Sequence, residues 1–192
     1  MKVTFKFNML VNKNSKLSEK DIPSNLIEIP FYGTKLFSSE SNMLDKTVYN
    51  KFLLLRNKAL EKEYNIVIDS GYRSYSYQDA LLKYYLNEQG DKAYKFCAIP
   101  GTSEHQTAFA IDVAIIKDNK YIEDINDEND EVKWLKNNAF KFGFILRYPK
   151  DKENVTGYIY EPWHYRYVGE ELARYFYQNN KTLEEYYEEV EK

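Results

Sequence analysis

The chain has 192 residues, 43% of them apolar, with 19 Tyr and 11 Phe against only 7 Gly and 5 Pro; this length fits one domain with a real core, and the composition excludes extensive disorder away from the ends. A formal net charge of −3 argues against a nucleic-acid binder, which normally carries a basic surplus or stripe. Cys97 is the single cysteine, so neither an intramolecular disulfide nor a thiolate metal cluster can form.

In chain order, residues 1–44 predict an irregular leading segment with a short strand in "NLIEIPF". Its start, "MKVTFKFNMLVNKNSK", has too short an apolar run for a signal peptide and no small-residue cleavage pattern. Asp45 reads as an N-cap, because Val48, Phe52, Leu55, Ala59 and Leu60 recur at helical spacing up to about Tyr64. Ile66 to Ile68 predicts a buried strand running into a turn at Gly71, followed by a helix over about 77–87 that Gly90 breaks and a shorter one up to Cys97. Cys97 lies in apolar "YKFCAIP", where a buried inert thiol is expected.

"AFAIDVAII", Ala108 to Ile116, predicts a central strand, and the polar "KDNKYIEDINDEND" predicts a surface loop. A helix over about 129–142 stops at Gly143. "FILRY" and "GYIYEPWHYRYV" predict two further strands, joined by a loop around residues 149–156. Gly169 opens a helix to about Gln178, and Thr182 caps a last one with Glu185 as its capping-box partner. The acidic stretch from Glu184 to Lys192 reads as a solvated helix face. Helices first and last with strands clustered between them predict an α+β fold, a single compact domain whose mainly antiparallel sheet is flanked by helices. The divisions are a leading segment 1–44, a core 45–178 and a C-terminal helix 179–192. No stretch reaches the ~18 apolar residues of a membrane span. The expectation is a cytoplasmic chain, with the extracellular domain of a trimmed membrane-anchored protein as the alternative.

The chain holds only two histidines, His105 in "PGTSEHQTAFAID" and His164 in "YEPWHYRYVG". A catalytic zinc site needs three N or O ligands and an open fourth position. The histidines supply two nitrogens. Asp112 supplies the third ligand, since a carboxylate inside "AFAIDVAII" is costly to bury unless paired or bound to metal; a buried Asp accepting backbone hydrogen bonds is the alternative. Glu161 stands three residues before His164 across Pro162, a spacing that places it beside the metal as a general base. Glu104 is a rival base, but its adjacency to His105 turns it away from the metal. Arg73, after the glycine turn in "SGYRSY", offers a guanidinium to a carbonyl or carboxylate oxygen.

"SGYRSYSYQ", "PGTSEHQTAFAIDV", "GFILRYP" and "TGYIYEPWHYRYVG" together resemble the VanY-type D-alanyl-D-alanine carboxypeptidases. These belong to a wider zinc peptidase family with the VanX-type D,D-dipeptidases and the bifunctional VanXY enzymes. The resemblance covers about residues 9–190. It implies one zinc ion on His105, Asp112 and His164, Glu161 as base, and Arg73 at the scissile carbonyl. It also implies substrate contacts by Ser103 and Gln78, with Trp163 in the pocket wall. Length and layout look most like the soluble VanXY group.

The implied substrates are peptidoglycan precursor peptides losing a terminal D-Ala, or free D-Ala-D-Ala, which the sequence does not separate. The loop after Ile116 and the segment Tyr148 to Thr156 are expected to control access. An L-alanyl-D-glutamate endopeptidase on the same scaffold, or a non-catalytic peptidoglycan-binding module, are the alternatives; an intact Glu161 speaks against the second. One departure stands out. The usual motif has Gly where this chain has Ala108, harmless at negative φ and strained at positive φ.

Overall fold

The computed structural model describes residues 2–30 and 42–190. Residues 31–41 of the expected leading segment and residues 191–192 of the expected last helix lie outside the described residues. Short strands β1 (Lys2–Val3), β2 (Ile22–Pro23), β3 (Leu26–Glu28) and β4 (Met43–Asp45) precede the body of the fold. Asp45 then caps α1 (Lys46–Leu60), its carboxylate accepting from the backbone N–H groups of Thr47 and Val48, which relieves two otherwise unpaired donors of the first turn.

The central sheet runs β5 (Ile66–Ser70), β6 (Ala110–Lys117), β9 (His164–Tyr167) and β8 (Phe144–Leu146) in spatial order, all antiparallel. A further strand, β7 (Lys120–Ile122), pairs the second half of β6. Successive side chains of a strand face opposite ways, and β6 uses this sharply. Ile111, Val113 and Ile115 enter the core with Val48, Phe52 and Leu55 of α1 and with Val132 and Leu135 of α3 (Asp130–Asn138). Burying each such side chain contributes roughly 1.5–3 kcal/mol. Asp112 therefore lies on the other face, between Ala110 and Ala114.

β9 repeats the pattern. Tyr165 and Tyr167 join the core while His164 and Arg166 face the Asp112 side. On that side lies α2 (Tyr75–Gln89), capped by Ser74 and ended by Gly90 at φ 58. The chain ends with α5 (Glu170–Asn179) and α6 (Leu183–Val190), packed with Ile145 and Val168. The Thr182–Glu185 capping box is present, with reciprocal bonds of 2.7 and 3.3 Å.

Four local expectations need correction. The polar segment after Ile116 is a hairpin whose turn residues, Asp118 and Asn119, have φ of 52 and 59, the backbone of a tight β-turn without the glycine that would have signalled it. Only His164–Tyr167 of the expected strand 157–168 is extended in the sheet, since Pro162 cannot donate to a ladder. The connection before it contains a single helical turn, α4 (Glu153–Thr156). Finally, Glu184 is not solvated: it is buried and holds Arg147 through two bonds of 2.8 and 2.6 Å.

Ala108 sits at φ 62, ψ 22, ending the 3-10 turn Glu104–Thr107 that carries His105. Its N–H donates to His105 and its carbonyl accepts from Asp45, so the turn cannot relax without loosening both. A methyl group in the left-handed region carries strain of about 1 kcal/mol or more. Ala108→Val, β-branched at the same φ, is predicted to lower the thermal midpoint by at least ~3 °C relative to the parent chain. Ala108→Gly should match or exceed the parent midpoint. Equal midpoints for Val and Ala in a denaturation scan would contradict strain at this position.

Candidate metal centre and active-site pocket

Three local structures bring the site together. The sheet register sets Asp112 directly opposite His164 across β6 and β9, where side chains share a face and touch. On its other edge, an irregularity in β5 between Ile68 and Ser70 sets Ser70 opposite Asp112, a bulge of the kind that re-aims side chains at sites. The 3-10 turn before β6 then folds His105 back over Asp112. One ligand atom from each of His105, Asp112 and His164 falls within 4.8 Å of the others, all three residues buried.

The ring nitrogens are sorted by their partners. His105 Nδ1 lies 2.5 Å from the Gly71 carbonyl, so it carries the proton and donates, leaving Nε2 unprotonated. That Nε2 is buried and makes no hydrogen bond among the described residues, although Asp112 Oδ2 is 3.3 Å away. His164 Nδ1 lies 3.0 Å from Asp112 Oδ1. Two imidazole nitrogens and a carboxylate converging on one point, one nitrogen without a partner, fit a zinc ion by donor type and number.

The electrostatics agree with a cation at this point. Burial, then the Arg73 charge, lowers His105 to a pKa of about 4 against the pull of Asp112, so its imidazole is neutral as ligation requires. Burial would raise Asp112, but His105 and Arg73 hold it well below the usual carboxylate range. For His164 burial is outweighed by Asp112, Glu104 and Glu161, which raise it to about 9; the surroundings favour positive charge there.

Glu161 stands beside this set. Its N–H donates to Tyr148, its carbonyl accepts from His164, and one carboxylate oxygen is 3.8 Å from His164 Nδ1. Burial raises its pKa to about 8, with Asp112 adding to the shift and His164 and Arg73 opposing it. Arg73, just ahead of α2, places its guanidinium 3.5 Å from Asp112 Oδ2, and its Nε is buried without a hydrogen bond among the described residues.

These groups line a cavity of about 480 Å³. Ser103, Gln78 and Trp163 line it as well. Gln78 donates to the Ala98 carbonyl at 2.8 Å, and its own buried carbonyl oxygen accepts no hydrogen bond among the described residues. Trp163 is divided between the pocket and the core, and its carbonyl anchors Val113 of β6. Cys97 also reaches the pocket wall, but burial pushes its thiol up to about 11, as expected for an inert group. The two expected access segments both reach the pocket, one through Glu123 and Asp124, the other through Tyr148. They are pinned together by Asp127, which pairs with Lys150 at 2.5 Å and Lys136 at 3.1 Å and accepts from the Tyr160 hydroxyl.

Glu104 is not free to act as a base: one oxygen is gripped by Arg147 at 2.8 Å and Arg166 at 3.0 Å. Both arginines are buried and went unflagged in the sequence. The signal was available, since an Arg within "FILRY" or "HYRYV" is as misplaced among apolar neighbours as Asp112 is. Tyr148, whose ring packs on that of His164 at a centroid distance of 4.9 Å, offered no comparable signal among 19 tyrosines.

The VanY family profile, described as D-alanyl-D-alanine carboxypeptidase, matches residues 41–170. The bifunctional D-Ala-D-Ala dipeptidase and D-Ala-D-Ala carboxypeptidase VanXYC of Enterococcus gallinarum is 38% identical over 184 residues, covering 93% of this chain and 92% of the relative. Among solved structures, the LdcB LD-carboxypeptidase superposes with a TM-score of 0.82 at 36% identity, covering 93% of this chain and 84% of the other. A mutant of the vancomycin-resistance D,D-pentapeptidase VanY from the VanB-type cassette, in complex with Zn(II), gives 0.73 at 31%, covering 93% and 97%. Profile, near full-length relative and fold agree with the sequence motifs: the chain belongs to the VanY family of D-alanyl-D-alanine carboxypeptidases.

Proposed function

We propose that the chain is a zinc-dependent D,D-carboxypeptidase that releases the terminal D-Ala from peptidoglycan precursor peptides and also accepts free D-Ala-D-Ala. The observation that carries this reading is the convergence of His105 Nε2, Asp112 and His164 Nδ1 with the Glu161 carboxylate beside them. A single zinc ion bound by the three ligands supplies Lewis acidity toward water and the scissile carbonyl. Glu161 takes the proton of the attacking water and returns it to the leaving amine, a dual task suited to a buried carboxylate beside the ligand set. Arg73 directs fixed donors at the developing oxyanion, while its contact with Asp112 keeps it in place. Ser103 and the free carbonyl oxygen of Gln78 contact the polar substrate termini, and Trp163 forms an apolar wall.

The relative of nearly equal length with both D,D activities supports this assignment. A second reading, cleavage of D-Ala from an L-residue, draws support from the superposition on an LD-carboxypeptidase. The two differ in the residue before the scissile bond, D-Ala in one and an L-residue in the other.

Replacing Glu161 by Gln is predicted to lower kcat by roughly 10²–10⁴-fold while zinc content by metal analysis stays at the parent level. A rate within a few-fold of the parent would remove Glu161 as the base. The substrate is tested by measuring D-Ala release from free D-Ala-D-Ala, from a peptide ending in D-Ala-D-Ala, and from one ending in an L-residue followed by D-Ala. Faster turnover of the D-Ala-D-Ala-terminated peptide is expected; preference for the third would overturn the D,D assignment in favour of the second reading.

A further inference from the structure

The mechanism above leaves a buried charge network unused. Arg147, Arg166 and Glu104 have fully buried side chains beneath the metal centre, and Glu184 joins them from α6. Arg147 Nε donates to Glu104 Oε1, and its two terminal nitrogens grip Glu184. Asn12 adds a bond to Glu184 at 3.1 Å. Arg166, on the same strand face as His164, lies 3.0 Å from Glu104 Oε1 and donates to the carbonyls of Phe7 and Met9. Two arginines thus hold one oxygen of Glu104, from an assembly that spans the leading segment, β9 and the last helix.

The other oxygen, Oε2, is buried and makes no hydrogen bond among the described residues; it faces His164 Nε2, 3.7 Å away, which is also buried and without a hydrogen bond among them. A neutral imidazole carries one ring proton. If His164 ligates through Nδ1, the nitrogen facing Asp112, that proton must sit on Nε2 and needs an acceptor. Glu104 Oε2 faces it at a separation only a little beyond hydrogen-bond length.

We infer that Glu104 is a positioning residue for His164: held by Arg147 and Arg166, its free oxygen accepts the Nε2 proton and so presents Nδ1 to the metal. This rests on the reading of His105, Asp112 and His164 as the metal ligands. The two histidines then use opposite tautomers, His105 with its proton on Nδ1 fixed by Gly71 and His164 with its proton on Nε2 fixed by Glu104. Ligand imidazoles held by such partners bind metal roughly 10–100-fold more tightly than those without them.

Glu104→Gln separates this role from simple ion pairing. With the amide oxygen kept on the arginines, its NH₂ group meets Nε2 as a donor and drives the ring proton to Nδ1. Zinc affinity, measured by chelator competition on the whole chain, is expected to fall roughly 10–100-fold, and the visible spectrum of the cobalt-substituted protein should change. Glu184→Gln perturbs the same network without touching His164; it should lower the thermal midpoint and leave zinc affinity at the parent value. Equal zinc affinity for Glu104→Gln and the parent, or equal losses for the two variants, would overturn the proposal.

Should Glu104→Gln fail to fold, ¹⁵N-resolved NMR of the zinc-loaded parent decides, because two histidines make the ring signals simple to assign. Protons on His105 Nδ1 and His164 Nε2 support the inference, and the same tautomer on both rings refutes it. A parent chain that takes up no zinc would instead refute the metal reading on which the inference rests.

Discussion

An ionised carboxylate in the middle strand of a sheet is tolerated only where cations and donors offset its desolvation, which otherwise costs several kcal/mol. Asp112 occupies that position in β6, between two alanines and opposite His164. Much of the local architecture follows from accommodating it. Alternation along β6 keeps Ile111, Val113 and Ile115 in the core while Asp112 faces away. The bulge in β5 sets Ser70 opposite it. Arg73 arrives from the turn after β5, and His105 from the turn before β6. A slip of one residue in the β6–β9 pairing would move His164 to the core face, so the hydrophobic core itself enforces the geometry of the centre.

Beneath the His105–Asp112–His164 cluster, charges are balanced in layers. Asp112 faces His105, His164 and Arg73; Glu104 faces His164, Arg147 and Arg166; Glu184 closes the far end. Removing one member of such a buried network leaves its partners uncompensated, which is more damaging than the net value of the pair. Glu161 is the exception. It is buried beside a second carboxylate, and its proton affinity rises accordingly. Glu104, held ionised by two arginines, and Glu161, pushed toward protonation by burial, are thus two carboxylates of opposite character within a few ångströms of His164.

The sequence made the centre legible because its chemistry is scarce. Two histidines, an aspartate inside an apolar run and a glutamate three residues from the second histidine leave few alternatives. Periodicity and capping likewise located α1 and α6 through Asp45 and the Thr182–Glu185 pair. What stayed hidden depends on tertiary partners or on unusual turns. The hairpin at Asp118–Asn119 lacks glycine, residues 157–163 have strand-like composition but are held by Pro162 outside the ladder, and Glu184 looks like one of many surface acids until Arg147 is placed beside it. The conformation of Ala108 was the reverse case. The sequence raised the question of its φ, and the left-handed backbone answers it: the alanine sits where a methyl group is strained, at the end of the turn that carries His105.

Crystals of the chain prepared with zinc, measured on both sides of the zinc absorption edge, test the central claim most directly. The account predicts one anomalous peak bounded by His105 Nε2, the Asp112 carboxylate and His164 Nδ1, with Glu161 beside it but not bound. A peak elsewhere, or a centre in which Asp112 and His164 pair with each other and no metal enters, would contradict it.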